Sequence, residues 1–70
     1  MRQVSEITGK EYEDSDMVHF RNYVQSAYYI SWSCRLIDLF VDNNKKLVFV
    51  FSKKDHERVK HRWINQQNVK

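Results

Sequence analysis

Residues 35–52 read RLIDLFVDNNKKLVFVFS, and this stretch decides the fold. Two runs of aliphatic and aromatic residues flank a polar tetrad, which is the composition of a β-hairpin. Asparagine tolerates positive φ better than any residue except glycine, so we expect a two-residue turn at Asn43-Asn44. The sequence therefore predicts a hairpin with strands 35–41 and 46–52.

The predicted turn also fixes the register of the hairpin. Because side chains alternate between the two faces of a strand, each cross-strand pair belongs to one face. One face is expected to carry the pairs Phe40/Leu47, Asp38/Phe49 and Leu36/Phe51, and the other Val41/Lys46, Leu39/Val48 and Ile37/Val50. Both faces are apolar, so each needs cover from a helix, another strand layer or a second chain.

Two helices are expected on either side of the hairpin, at about 23–34 and 53–65. Asn22 and Ser52 precede them as N-cap residues. At 100° per residue, the first helix has one stripe expected to be buried, made of Tyr23, Val24, Ala27, Ile30, Ser31 and Cys34. Its other face, with Gln25, Tyr29 and Ser33, is expected to point away. The second helix has a narrow apolar stripe of His56, Val59 and Trp63.

The N-terminal third of the chain leaves alternatives open. Residues 17–21 alternate as a strand that joins the sheet, although they also continue the helical stripe of the following segment. Residues 1–16 form either a small hairpin around Thr8-Gly9 or an arm that orders on contact. Gly9 is the single glycine, and we expect it at a positive-φ turn position.

Length and composition limit the class of protein. Seventy residues make one domain with a small core, and an aromatic content of 14% argues against disorder. The single cysteine, Cys34, excludes an internal disulfide and indicates a reducing compartment. The longest apolar run, Leu47 to Phe51, is too short for a membrane span. We therefore expect a soluble, cytoplasmic α+β domain with no membrane partner.

Charge is distributed unevenly along the chain. Residues 1–18 carry two basic and five acidic side chains, a net charge of −3, whereas residues 53–70 carry six basic and two acidic, a net charge of +4. Basic residues on a helix can neutralise phosphates or meet an acidic protein, and they can also simply face solvent. The candidate binding residues on this helix are Lys53, Lys54, Arg58, Lys60 and Arg62.

Aromatic residues are concentrated between Phe20 and Trp32. They can form core, a stacking platform or an interface anchor, because Tyr and Trp contribute large contact areas. Tyr29 and Trp32 are the candidate contact residues, since the helical wheel leaves Tyr29 exposed. The apolar hairpin needs more cover than the two helices supply, so we also expect a homodimer.

Catalytic and metal chemistry find little support in the sequence. Asp38 is the one charge inside the apolar hairpin, and an ion pair with Arg35 or another basic residue is the expected partner. His56 and His61 lie about 140° apart on a helix and cannot chelate one metal ion. Cys34 lies on the stripe expected to be buried, where a thiol is inert. We expect no enzymatic activity, no cofactor and no metal.

The succession QSAYYI (25–30), LIDLF (36–40) and KLVFVF (46–51), closed by Trp63, resembles a group of short uncharacterised proteins coded by phages and mobile elements of Firmicutes. The resemblance covers roughly residues 20 to 63. It implies a mobile-element origin and a helix–hairpin–helix core, and it supplies no catalytic residues. Members commonly have Gly at the position of Cys34.

The function expected from these features is binding. The first hypothesis is a small phage or mobile-element protein that acts in the host cytoplasm, where it modulates a host macromolecule such as a defence or transcription component. The second hypothesis is a nucleic-acid-binding accessory or regulatory protein that uses the basic helix.

Overall fold

The computed structural model describes residues 1–68 of the chain, and the side chains of residues 1–66. The elements, in order, are β1 (Arg2–Val4), β2 (Glu11–Glu13), a 3-10 turn (Asp14–Asp16), β3 (Met17–Phe20), α1 (Tyr23–Ser31), β4 (Leu36–Val41), β5 (Leu47–Ser52) and α2 (Lys53–Asn68). Two helices combined with small antiparallel sheets confirm the expected α+β class. No helix in the described part of the chain is long and apolar enough to cross a membrane.

The elements form three layers around the strand β5. This strand is the centre of an antiparallel sheet ordered β3-β5-β4, so the strand alternative for residues 17–21 is confirmed for β3. The helices pack on one face of the sheet, around Tyr29, Phe51 and Val59. The hairpin β1–β2 packs on the other face, where Tyr12 meets Val48 and Val50. Both apolar faces are thus covered within one chain.

The hairpin β1–β2 is closed by the loop of residues 5–10. Gly9 has a φ of 72°, the positive value expected for the single glycine. The hydroxyl of Ser5 accepts hydrogen bonds from the backbone N–H groups of Ile7 and Thr8, at 3.2 and 3.1 Å. The loop is therefore wider than the expected turn at Thr8-Gly9, and the strands are correspondingly shorter.

The turn between β4 and β5 differs from the expected two-residue turn. Lys45, and neither asparagine, has positive φ, at 61°. The Oδ1 atom of Asp42 accepts from the N–H groups of Asn44 and Lys46, at 2.8 and 3.0 Å. These contacts close a three-residue loop, Asn43–Lys45, whose last residue is left-handed. The loop therefore has one residue more than expected.

The extra loop residue moves β5 by one position against β4. Val41 pairs with Leu47 and Asp38 with Val50, so the predicted register is wrong by one residue over most of the hairpin. A bulge between Leu36 and Asp38 restores the predicted pair of Leu36 with Phe51. Since a one-residue slip exchanges the two faces of a strand, Asp38 shares its side of the sheet with Val50 instead of Phe49.

Helix α1 begins at its predicted N-cap and ends earlier than predicted. The Oδ1 atom of Asn22 accepts from the N–H groups of Val24 and Gln25, at 3.0 and 3.2 Å. The helix ends at Ser31, and the left-handed residue that follows its C-cap is Ser33, whose φ is 69°, and not Cys34. The N–H of Cys34 donates to the Tyr29 carbonyl and that of Ser33 to the Ile30 carbonyl, both at 3.0 Å, which is a Schellman motif.

Helix α2 begins where the sequence predicts it and is longer than predicted. The Oγ atom of Ser52 accepts from the N–H of Asp55 at 3.2 Å, so Ser52 is the N-cap. Val59 is buried and Trp63 is half-buried, in agreement with the predicted narrow stripe. The helix extends to Asn68 instead of residue 65.

We expect Ser33→Gly to stabilise the protein by about 1 kcal/mol, because the left-handed conformation is strained for any residue with a Cβ. Ser31→Gly is the matched control, two residues upstream within α1. There the same change should destabilise by roughly 0.5 kcal/mol, because glycine is a poorer helix former than serine. Urea unfolding of both variants measures the difference. Equal signs for the two substitutions would contradict the assigned helix end.

Candidate functional site

Helix α1 packs with the opposite face from the one predicted. Ser26 and Tyr29 are its fully buried residues, at 0% exposure, whereas Tyr23 is 72% exposed and both Val24 and Ile30 are 45% exposed. The prediction that Tyr29 is an exposed contact residue is therefore wrong. The predicted apolar stripe, apart from Cys34, lies on the outside of the molecule.

Tyr29 is buried because its ring and its hydroxyl both find partners in the core. The ring lies edge-on to Phe20 at 5.1 Å and next to Phe51 at 5.6 Å between centroids. Its hydroxyl is 2.9 Å from Nδ1 of His56, a hydrogen bond that the apolar residues of the helix cannot offer. Burial raises the pKa of the Tyr29 phenol. Ser26, also buried, donates from its hydroxyl to the Asn22 carbonyl at 3.0 Å.

The outer face of α1 carries no charge, because the helix contains no charged residue. A shallow cavity of about 420 Å³ opens over it, lined by Tyr23, Val24, Ala27, Tyr28 and Ser31. We call these five residues, together with Ile30, the α1 outer face. Amphipathic helices on a surface normally turn polar residues to water. A contiguous apolar surface of this kind typically marks an interaction site.

Trp32, the other candidate aromatic residue, lies where α1 meets α2. Its ring is 5.7 Å from that of Tyr28, and the Tyr28 ring is 5.8 Å from that of Trp63. The side chains of Trp32 and Trp63 are half-buried. They extend the aromatic surface of Tyr28 across both helices.

The five basic candidates of α2 are all exposed, but they do not form one uniform patch. Lys60 contacts Glu57 at 2.7 Å, and the hydrogen bond from Lys60 lowers the pKa of Glu57. Arg58 lies 3.6 Å from Asp55 and within 3.5 Å of the Trp32 carbonyl. The Arg62 guanidinium carbon lies 5.9 Å from the centre of the Trp32 ring. Two of the arginines thus border Trp32, while Lys53 and Lys54 lie at the start of the helix.

A second cavity, of about 500 Å³, lies between the N-terminal hairpin and the sheet. It is lined by Gln3, Val4, Glu6, Tyr12, Asp14, His19, Asp38, Phe40 and Val41. His19 contacts Asp14 there, with 2.9 Å between Nε2 and Oδ1. The cavity brings Asp38 near other titratable groups, which is the arrangement that an acid–base site would need.

The hydrogen bonds of Asp38 assign it a structural role. It is 2% exposed, and its Oδ2 accepts from the Tyr12 hydroxyl at 2.6 Å. Its Oδ1 accepts from the N–H groups of Glu6 and Leu39, at 2.7 and 2.8 Å. Burial, followed by the hydrogen bond to Asp38, raises the pKa of Tyr12, so the phenol stays a donor.

The expected ion pair between Asp38 and Arg35 is wrong. The N–H of Arg35 donates instead to Oδ2 of Asp55 at 3.1 Å, and the Arg35 side chain is exposed. The donors to Asp38 are neutral groups, and three of them, from Ser5, Glu6 and Tyr12, belong to the N-terminal hairpin and its loop. Asp38 therefore holds two layers of the fold together.

Cys34 is a buried thiol. Burial, followed by the nearby Asp55, raises the pKa of Cys34, which keeps it in the unreactive thiol form. His56 is engaged with Tyr29. Within the described residues, no three His, Cys, Asp or Glu side chains are arranged to hold a metal ion.

Comparison with known proteins adds no assignment to this geometry. No protein family, curated protein or solved structure matches the chain. The candidate site therefore rests on its own chemistry, which is the α1 outer face with the tryptophans and arginines beside it.

We expect Asp38→Ala to destabilise the protein by about 3 kcal/mol or more. The substitution leaves the Tyr12 hydroxyl and the Glu6 N–H without their acceptor, and each unpaired buried group costs about 1–3 kcal/mol. Asp42→Ala is the matched control in the same hairpin. Asp42 also accepts several hydrogen bonds, but it is only half-buried at the hairpin tip and its donors are exposed, so water can reach them when the carboxylate is removed. Urea unfolding that gave Asp38→Ala the smaller loss would contradict the structural role of Asp38.

Proposed function

We propose that this chain is a small non-enzymatic protein-binding module whose contact surface is the α1 outer face. The observation that carries the proposal is the orientation of α1, which turns Tyr23, Val24 and Ile30 to solvent while it buries a serine. Isolated exposed apolar residues are ordinary, but a whole helix face is not. The mobile-element origin and the action on a host macromolecule, implied by resemblance, remain predictions.

The size of the surface favours a modest contact. A helix of nine residues is about 13.5 Å long, and one face of it is much smaller than the ~800 Å² that each partner buries in a standard interface. A partner that binds specifically must therefore extend beyond α1. Trp32 and Trp63 continue the surface on the side of α2.

The second candidate function, nucleic-acid binding, is favoured by one observation. Lys54, Arg58 and Arg62 are spaced four residues apart on α2, and the two arginines border the half-buried Trp32. Where cations lie beside an aromatic ring, the cations can bind phosphates and the ring can stack on a base. Binding of this kind would weaken steeply with salt, whereas contact through the apolar face would not.

Selection from a random peptide display library tests the binding module directly. We expect wild-type protein to enrich peptides with bulky apolar residues, and we expect Ala27→Glu to weaken their binding by about tenfold or more, because it places a charge on the floor of the cavity. Ala27 is exposed, so the helix itself should tolerate the change. Asn43→Glu, at the exposed tip of the β4–β5 hairpin, is the control with the same added charge. Failure to enrich any peptide, or equal binding by all three proteins, would refute the proposal.

The predicted homodimer loses its original ground, because the N-terminal hairpin covers the second face of the sheet. Self-association through the α1 outer face would also bring together the Arg58 and Arg62 side chains that border it. We therefore expect light scattering to give a monomeric mass at low salt, with any association growing as salt screens this repulsion. A dimeric mass at low salt that Ala27→Glu abolishes would instead identify a second copy as the partner.

A further inference from the structure

The α1 outer face has a cationic border on one side. Helix α1, with the sequence YVQSAYYIS, contains no charged residue. Where it meets α2, Arg58 points both terminal guanidinium nitrogens at the Trp32 carbonyl, at 3.5 Å, and Arg62 lies over the Trp32 ring. The charged side chains that touch this end of the aromatic surface are thus arginines.

Lys54 extends this border along α2. Lys54, Arg58 and Arg62 are separated by four residues and lie on one side of the helix. We call these three residues the basic stripe. Asp55 lies 3.6 Å from Arg58 and compensates its positive charge. Among the described residues, Lys54 and Arg62 have no salt-bridge partner. The basic stripe therefore keeps a net positive charge beside an apolar surface.

This combination restricts the chemistry of the partner. The cavity over α1 is lined by Val24, Ala27 and two tyrosines, so it accepts a bulky apolar side chain. The basic stripe attracts carboxylates, which arginine binds with paired hydrogen bonds. A partner that satisfies both needs an apolar face with acidic residues beside it. An amphipathic helix presents this pattern, with anchors every three to four residues.

Other occupants fit less well. A second copy of this chain would bring an α1 without any carboxylate to meet the basic stripe. A nucleic acid would find the basic stripe, but the cavity over α1 contains no cation for its phosphates. The observations therefore favour, as the partner, a protein other than a second copy of this chain.

We propose that the partner presents an acidic amphipathic helix, whose apolar residues lie on the α1 outer face while its carboxylates reach Lys54, Arg58 and Arg62. This inference rests on the proposed function and adds the chemical class of the partner. Electrostatic complementarity of this kind contributes specificity and speeds association.

Two labelled peptides of roughly 18 residues test the inference on the full chain. They share an apolar face of Leu and Phe, and the polar face carries Glu in one peptide and Lys in the other. In fluorescence anisotropy at low salt, we expect the Glu peptide to bind about tenfold or more tightly than the Lys peptide, a difference that shrinks as salt is raised. Lys54→Glu combined with Arg62→Glu should reverse the preference. Lys10→Glu combined with Lys46→Glu, the same charge change away from α2, should leave it intact.

The outcomes separate this inference from the proposed function. Equal binding of both peptides, abolished by Ala27→Glu, would overturn the acidic partner and leave the α1 outer face as a binding site. Binding of display-selected peptides but of neither designed peptide would do the same. A single-stranded oligothymidylate of about 16 nucleotides that bound more tightly than the Glu peptide, and equally to Ala27→Glu, would overturn both proposals in favour of nucleic acid. Circular dichroism of each variant verifies that it is folded.

Discussion

The buried carboxylate of Asp38 is the interaction on which the rest of the structure depends. A carboxylate inside a protein is costly unless hydrogen bonds replace its hydration, and here they come from the hydroxyls of Ser5 and Tyr12 and from two backbone N–H groups. Three of these four donors belong to residues of the N-terminal segment. The segment and the carboxylate therefore stabilise each other, since neither is satisfied without the other.

This mutual dependence explains how a chain of 70 residues encloses a sheet that is apolar on both faces. The hairpin β1–β2 brings only Tyr12 into the buried cluster of its layer, and its strands have three residues each. Such a small hairpin is unstable by itself in water. Its attachment to Asp38 lets it act as the second layer, so the two helices need to cover one face only.

Because the helices cover only one face of the sheet, α1 can retain an apolar outer face. Tyr29 fills the space between Phe20, Phe51 and His56, which ties the helix to the core through one large side chain and the neighbouring Ser26. Val24 and Ile30 are then not needed for the core. Their exposure is the observation on which the proposed binding function rests.

Local chemistry made part of this structure predictable from the sequence. Asn22 and Ser52 mark both helix starts because their side chains can accept from first-turn N–H groups, and Gly9 marks a positive φ. The predicted register was wrong because Lys45, and not an asparagine, adopts the left-handed conformation, which makes the loop one residue longer than expected.

The candidate site was harder to predict for a different reason. Hydrophobic periodicity assigns Val24 and Ile30 to the core. In the structure the opposite face of α1 packs on the core, where Tyr29 forms a hydrogen bond with His56, and these two residues are 27 positions apart in the sequence. Two of the partners of Asp38, Tyr12 and Glu6, lie 26 and 32 residues away, where no local pattern can show them. The four-residue spacing of Lys54, Arg58 and Arg62, by contrast, was visible in the sequence.

Hydrogen exchange at the N–H of Glu6 tests the central role of Asp38 most directly. Glu6 lies in a surface loop, where backbone amides normally exchange faster than those of buried strands and helices. Because its N–H donates to Oδ1 of Asp38 at 2.7 Å, we expect protection comparable to that of Val50 in the central strand, and we expect Asp38→Asn to reduce it. Exchange of Glu6 at the rate of an unprotected loop, while Val50 stays protected, would show that the N-terminal hairpin is not held by this carboxylate.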